Sequence, residues 1–221
     1  MSLTFVVPDL HGRSDLLEQA LAAILARCAG GTLVILGDYV DKGPDSRGII
    51  TRLRQGLPAG WILVPLKGNH DAMMVTALRD PARMAWWLER GGDIAVTSYG
   101  GDASAIPEAD IAWLDGLALW HADAHRIYVH AGLEPGIALD AQTERTLLWK
   151  RYPQGDASGF DGRHVVHGHN ACAEGPELLE GRTNLDTQAW RTGRLVIGVF
   201  EDGQPGGPVD FIVVRGPALA R

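Results

Sequence analysis

The chain has 221 residues, 46% of them hydrophobic and 21% charged, which is ordinary for a soluble globular protein and long enough for one domain with a sizeable core. Its formal net charge of −7 argues against general affinity for nucleic acid or for an anionic membrane. No apolar run reaches the length of a membrane span and no leader-like segment opens the chain, so we expect a cytoplasmic protein.

The first third of the chain alternates strand and helix patterns. Short apolar runs predict strands at 3–7, 33–36 and 61–66, and apolar residues at helical spacing predict helices at 14–27 and 46–55. This β-α-β-α-β order predicts a parallel sheet whose crossovers are right-handed.

A helical insert is predicted near residues 80–120, where the strand patterns stop. Pro81 and Pro107 each stand where a proline can open a helix, at 82–90 and at 108–119. We expect the insert to lie over the strand ends and to shape a pocket there. Three tryptophans are expected to pack in its core: Trp86, Trp87 and Trp113.

Strand patterns return after residue 125. Apolar runs predict strands at 126–129, 164–166, 195–200 and 209–214, with a turn between the last two. No repeat, low-complexity tract or interdomain linker interrupts the chain. Residues 1–221 are therefore expected to form a single α/β domain.

Five short motifs place metal-type ligands directly after predicted strands. In chain order they are Asp9-Leu10-His11-Gly12, Gly37-Asp38-Tyr39-Val40-Asp41, Gly68-Asn69-His70-Asp71, His130-Ala131-Gly132 and His167-Gly168-His169. Strand ends of an α/β sheet collect catalytic groups, because the turns there can aim side chains into one crevice. Carboxylates, imidazoles and one amide, without thiolate, suit Mn²⁺, Fe or Zn²⁺ and disfavour Ca²⁺. Each motif alone is weak, but together they indicate a site for divalent metal ions.

The five motifs together resemble those of the calcineurin-like metallophosphoesterases. The resemblance is to the branch that contains the phage-type and eukaryotic serine/threonine phosphoprotein phosphatases and the symmetrical diadenosine tetraphosphatases. Residues 37–43 are similar to the phosphatase loop, and residues 185–187 also fit the family. The run at 68–71 is closer to the tetraphosphatase form, since the phosphatases usually carry Glu where Asp71 stands. The resemblance implies a four-layer α/β/β/α sandwich with two metal ions at its upper edge.

The resemblance also implies roles for single residues. It assigns one metal ion to Asp9, His11 and Asp38, and the other to Asp38, Asn69, His130 and His169. It makes His70 the general acid, oriented by Asp41, and Arg151 a phosphate-binding residue. Lys42 stands where the family usually has Arg, so we expect it to contact phosphate as a point charge rather than as a fork.

These features predict an enzyme that hydrolyses phosphate monoesters with a water activated by two divalent ions, expected to be Mn²⁺. Phosphorylated protein is the expected substrate, because Asp41 is an acid that tetraphosphatases often lack. The alternative is a hydrolase of dinucleoside polyphosphates or capped RNA 5′ ends, favoured by the runs at 68–71 and 129–133. A non-catalytic binding module of the same fold is disfavoured, since all six ligands and His70 are present. Neither stable nucleic-acid binding nor a membrane partner is expected, and the oligomeric state is left open.

Overall fold

The computed structural model describes residues 2–219. Within this span the strands are β1 (Leu3–Val7), β2 (Gly31–Ile35), β3 (Trp61–Pro65), β4 (Trp120–Ala122), β5 (Arg126–Val129), β6 (His164–His167), β7 (Glu177–Leu178), β8 (Arg182–Asn184), β9 (Arg194–Glu201) and β10 (Asp210–Arg215). The α-helices there are α1 (Ser14–Arg27), α2 (Ser46–Arg54), α3 (Asn69–Arg79), α4 (Met84–Trp87), α5 (Asp93–Ser98), α6 (Glu108–Asp115), α7 (Glu144–Trp149) and α8 (Ala189–Thr192). None of these helices is long and apolar enough to cross a membrane.

The first sheet has the strand order β10-β9-β1-β2-β3. Strands β1, β2 and β3 are parallel, as predicted, and β9 and β10 extend the sheet in antiparallel pairs. The register sets Val7 beside Ile35 and Ile35 beside Pro65, so the three parallel strands end level with one another. The loops that follow them therefore leave the sheet at one edge.

The second sheet has the strand order β4-β5-β6-β8-β7. Its central strands β5, β6 and β8 are parallel, with Tyr128 beside Val166 and His167 beside Asn184, while β4 and β7 pair antiparallel at the two edges. The segments after β5, β6 and β8 consequently leave this sheet at a common edge as well.

The two sheets pack face to face between helical layers, which confirms the four-layer prediction. Alternation along β1 shows the arrangement: Phe5 and Val7 join the helix-covered core, whereas Val6 packs with residues of the second sheet such as Val166. On the far side of the second sheet, Leu147 of α7 joins a smaller cluster. That outer layer is thin, since α7 and loops form it. Burial of these apolar faces is the main favourable term holding the layers together.

The helical insert differs in detail from its prediction. The expected helix at 82–90 is instead a 3₁₀ turn, the short α4 and a wide π-type turn at Leu88–Gly92, in which Gly91 has a φ of 107° that breaks the helix. The expected helix at 108–119 ends at Asp115, before Gly116, and residues 120–122 form β4 against β5. Glycine is a poor helix former, which explains the earlier end.

Strands β7 and β8 lie outside the predicted elements. They are two and three residues long, and β8 consists of Arg182, Thr183 and Asn184. Such a run carries no alternation of apolar and polar residues, so its local sequence does not indicate a strand. It is a strand because β6 and β7 pair with it on both sides.

Candidate metal centre

The predicted ligands leave the sheets through turns in an uncommon backbone conformation. Positive φ values between 43° and 73° occur at His11, Asp38, Asp41, Lys42 and His169, five of the seven such non-glycine residues in the described span. This conformation costs a non-glycine residue about 1–3 kcal/mol and persists only where the surroundings enforce it. The concentration of strained residues at the strand ends of the two sheets indicates a functional region there.

Asp71 ties the loop after β2 to the loop after β3. Its fully buried carboxylate accepts hydrogen bonds from the backbone N–H groups of Asp38 (2.8 Å), Tyr39 (3.0 Å) and Gly68 (2.8 Å). The loops approach so closely that a Cβ atom on Gly68 would lie 2.2 Å from the backbone nitrogen of Asp38. The backbone N–H of His70 then donates to Asp38 Oδ1 at 2.9 Å, which fixes that carboxylate at the start of α3.

Backbone carbonyls set the tautomers of two buried histidines. Nδ1 of His11 lies 2.9 Å from the carbonyl oxygen of Val40, and Nδ1 of His130 lies 2.9 Å from that of Leu36. A carbonyl oxygen only accepts, so each Nδ1 carries the proton. Burial lowers the pKa of both imidazoles, so the rings are neutral. Both Nε2 atoms therefore present lone pairs, the form that binds metal ions.

Asp38 belongs to two groups of potential metal ligands. The donor atoms of His11, Asp38 and His70 lie within 4.8 Å of one another, and so do those of Asp9, Asp38 and His130. A carboxylate shared between two groups can bridge two cations with its two oxygens. The resemblance groups Asp9 with His11 and Asp38, and among the described residues the donor atom of Asp9 also lies within this distance of those of Asp38 and His130.

The arrangement around His130 fits a divalent cation. Its Nε2 atom lies 2.9 Å from Asn69 Oδ1 and 3.6 Å from Asp38 Oδ1, so three electron-rich atoms converge. Nearby, Nε2 of His169 is buried without a hydrogen-bond partner among the described residues. Nitrogen and oxygen donors in this combination match the preferences of Mn²⁺, Fe and Zn²⁺. The residues present therefore fit the divalent ions that the sequence predicts.

The surrounding charges keep Asp38 ionised. Burial alone would raise its pKa, but the positive charge around it, to which the ammonium group of Lys42 contributes, holds the pKa of Asp38 below its ordinary value. Burial and the neighbouring carboxylates of Asp186 and Asp38 instead raise the pKa of Asp9. An excess of buried carboxylate is what bound cations would neutralise.

A hydrogen-bonded series runs from His70 into the helical insert. Nδ1 of His70 lies 2.7 Å from Asp41 Oδ2, and Nε1 of Trp87 donates to the two oxygens of Asp41 at 3.0 and 3.2 Å. Asp41 and Trp87 are fully buried. Burial raises the pKa of Asp41, while the bonds from His70 and Trp87 act in the opposite direction. Trp87 of the insert therefore positions Asp41, which in turn positions His70.

The two predicted phosphate-binding residues face a cavity of about 190 Å³ at the metal centre. Its lining includes Lys42, Arg151 and His70 together with five of the six predicted ligands; the sixth, His130, is fully buried. Nζ of Lys42 lies 2.8 Å from His11 Nε2 and 5.7 Å from the ring centroid of Trp190. The structure thus brings together every residue that the sequence predicts for the site.

A profile of the calcineurin-like phosphoesterases matches residues 4–198. The chain belongs to the calcineurin-like phosphoesterase family. Serine/threonine-protein phosphatase 1 of Salmonella typhimurium is 35% identical over 89 residues, 40% of this chain and 38% of the relative. The symmetrical bis(5′-nucleosyl)-tetraphosphatase of Delftia acidovorans is 26% identical over 207 residues, 89% of this chain and 64% of the relative. The chain thus spans less than two thirds of the length of these curated relatives.

Solved structures share the fold of this chain. One provisionally named a diadenosine tetraphosphatase gives a TM-score of 0.71 at 26% identity, covering 97% of this chain and 94% of that one. A serine/threonine phosphatase from Saccharomyces cerevisiae gives a TM-score of 0.62 at 16% identity, covering 100% and 81%. The predictions of family and of fold class are confirmed.

Two residues of this chain that belong to the site region lie outside the predicted set. Asp186 follows β8, lines the 190 Å³ cavity and is 6% exposed; burial raises its pKa to about 6. It follows a strand as the predicted ligands do, but β8 is not recognisable from sequence, so the available signal is the fit of residues 185–187 to the family. Trp87 was expected only to pack, although a buried indole N–H usually finds a hydrogen-bond partner, and that tendency is the available signal.

Proposed function

We propose that the chain is a metal-dependent hydrolase of phosphate monoesters whose leaving group is an alkoxide. The observation that carries the proposal is the His70–Asp41 pair, 2.7 Å apart, beside the cluster of metal ligands. A general acid matters most when the departing oxygen is a poor leaving group. Phosphorylated serine and threonine side chains are such esters, so a serine/threonine protein phosphatase is the first candidate.

In this proposal, one set of residues binds the metal ions and the phosphate, and a different pair transfers the proton. Bound at the six ligands, two divalent ions (Mn²⁺ first among those that fit) would polarise the phosphoryl oxygens and lower the pKa of a water. Arg151 and Lys42 supply positive charge to the phosphate, and the fork of Arg151 can hold two oxygens at once. Asp41 binds Nδ1 of His70, which leaves Nε2 as the ring nitrogen that can give a proton to the departing oxygen.

Dinucleoside polyphosphate hydrolysis is the second candidate. It is favoured by the tetraphosphatase of Delftia acidovorans, whose alignment covers 89% of this chain, against 40% for the Salmonella typhimurium phosphatase. The same ligands serve both reactions. A phosphoanhydride releases a nucleotide, whose departure needs less protonation than that of an alkoxide, so the two candidates differ in their dependence on His70.

His70→Asn tests the proposal, with the manganese-loaded protein assayed on a phosphoserine peptide, 4-nitrophenyl phosphate and diadenosine tetraphosphate. We expect peptide hydrolysis to fall about 10²–10⁴-fold, with a much smaller loss on the aryl ester, because nitrophenolate departs without an acid. Metal content should be retained, and His125→Asn, away from the site, should behave as wild type. Equal losses on peptide and aryl ester would exclude the acid role. A metal-loaded wild-type protein that hydrolyses none of the three substrates would overturn the proposed function.

A further inference from the structure

Two further cavities adjoin the metal centre. One of about 750 Å³ lies beside it, between α3, the segment 81–87 and α7, and its lining is mainly apolar. The other, of about 270 Å³, shares Arg151 and Ala171 with the cavity at the metal centre. We call this smaller space the Arg182 pocket, because the buried Arg182 lines it. A group attached to a phosphate at the metal centre can therefore reach the Arg182 pocket past Arg151.

Arg182 carries a buried positive charge that no nearby carboxylate neutralises. The residue is 2% exposed, and among residues 2–219 no carboxylate oxygen lies within 4 Å of its guanidinium nitrogens. Its contacts are with neutral groups: Nε donates to the carbonyl oxygen of Asp156, and the guanidinium carbon lies 4.4 Å from the ring centroid of Tyr152. A buried charge without an opposite charge is costly. An anion in the Arg182 pocket would supply the missing opposite charge.

His167 orients this guanidinium and accepts one of its hydrogen bonds. Nδ1 of His167 lies 2.9 Å from the carbonyl oxygen of Gly168, which only accepts, so Nδ1 carries the proton. Nε2 of His167 then presents a lone pair, and Nη1 of Arg182 donates to it at 2.9 Å. The bonds from Nε and Nη1 fix the plane of the guanidinium, and Nη2 keeps its two donors for a ligand.

The other polar groups of the pocket suit a ligand with both an anionic group and an N–H donor. Arg151 is exposed and also has no carboxylate within 4 Å among the described residues. Glu177 lines the pocket as well, but its Oε2 accepts from Nδ2 of Asn184 at 2.8 Å, and the two arginines outnumber it. Oδ1 of Asn170 is buried without a hydrogen-bond partner in the described span, so it can accept from a backbone N–H.

We infer that the Arg182 pocket binds the carboxylate of an acidic residue next to the phosphorylated residue, so that acidic phosphopeptides are the preferred substrates. The inference rests on the proposed phosphoester hydrolysis and names the sequence around the phosphate. An extended chain advances about 3.3–3.6 Å per residue, so a residue one or two positions away can pass Arg151 into the pocket. The formal net charge of −7 gives the protein no general attraction for an acidic peptide, so this selection depends on the pocket.

Two phosphoserine peptides that differ only in charge provide the test. Both have the same length, and the two residues on each side of the phosphoserine are glutamate in one and glutamine in the other. With the manganese-loaded wild-type protein we expect kcat/KM to be at least about tenfold higher for the glutamate peptide, mainly through a lower KM. Hydrogen bonds between charged groups contribute a factor of about that size.

Gln154→Glu places a carboxylate in the lining of the pocket at an exposed position, where it puts folding at little risk. We expect it to remove most of the preference by raising KM for the glutamate peptide, with far less effect on the glutamine peptide. Gln55→Glu, at an exposed position just after α2, adds the same charge elsewhere and is the matched control. Arg182→Gln should act like Gln154→Glu, and thermal denaturation shows whether this buried substitution leaves the protein folded.

Equal kcat/KM for the two peptides on wild type would overturn the inference, and so would a preference that survives Gln154→Glu. A loss of preference in Gln55→Glu equal to that in Gln154→Glu would also overturn it, since the effect would then belong to the net charge. If Gln154→Glu instead weakened only the inhibition by inorganic phosphate, the pocket would take a free anion and the inference would fail. These results are distinct from an absence of 4-nitrophenyl phosphate hydrolysis by the wild type, which would count against the proposed function.

Discussion

The metal centre and the cavity beside it are constructed in opposite ways. The metal centre is polar, buried and strained, and each predicted ligand follows a strand within a few residues. The 750 Å³ cavity is mainly apolar, partly exposed and lined by helices from two distant parts of the chain. The strand ends thus carry the charged and metal-type groups of the protein, while the helices enclose an apolar space beside them.

The helical insert serves both regions through neighbouring residues. Trp87 is fully buried and donates to Asp41 of the metal centre, whereas Trp86, one position earlier, lines the cavity. The carbonyl of Gly91 also accepts a hydrogen bond from the backbone N–H of Lys42 at 3.3 Å. We therefore expect the effect of a substitution on activity to decrease from Asp38 at the strand end, through Lys42, to Trp87 within the insert.

Asp38→Asn should have the largest effect, because this carboxylate belongs to both ligand groups. We expect loss of metal from both positions and at least a ~10³-fold fall in turnover, since bound metal supplies several kcal/mol of transition-state stabilisation. Elemental analysis together with 4-nitrophenyl phosphate kinetics measures both effects. A folded variant that holds two ions per chain and works at the wild-type rate would show that Asp38 is not the shared ligand.

Lys42→Ala should have an intermediate effect on activity. Lys42 lines the cavity at the metal centre, and its backbone N–H donates to Gly91 of the insert. Removing one positioned electrostatic donor typically reduces kcat by about 10²–10³-fold. Lys42→Arg should keep most of the activity, because a guanidinium can hold two phosphate oxygens. Metal content must be measured in parallel, since Nζ of Lys42 lies 2.8 Å from a predicted ligand atom of His11. Unchanged steady-state kinetics for Lys42→Ala would remove this residue from the site.

Trp87→Phe should have the smallest effect, about tenfold on alkyl phosphate hydrolysis, because it removes one hydrogen-bond donor to a charged group and keeps an aromatic ring. The lost donor stabilised ionised Asp41, so the pKa of Asp41 should rise and the acidic limb of the kcat–pH profile should move to higher pH. Trp113→Phe, in the same insert, is the control. A pH profile that stays in place would mean that Trp87 only fills space.

The strand ends were predictable because each apolar run and its ligand are adjacent in the chain. His130 and His169 belong to the second sheet, yet their motifs carry the same local signal as those of the first sheet. Asp186 follows the same rule after β8, but that strand exists only through pairing with its neighbours. The sequence predicts that the insert shapes a pocket over the strand ends, but not that α7 forms its other wall, because the walls meet only after α3 and α7 have packed and no local pattern records that contact.

Asp71 also acts as a spacer of fixed length between two loops. Its carboxylate is bonded to amides of both, and each loop carries a predicted ligand, Asp38 on one and Asn69 on the other. A glutamate at this position would be longer by one carbon–carbon bond, about 1.5 Å. A glutamate in this chain could keep all three bonds only if one loop moved away from the other. Through the length of its side chain, Asp71 therefore fixes the spacing between the loop of Asp38 and the loop of Asn69, although it is not itself one of the predicted ligands.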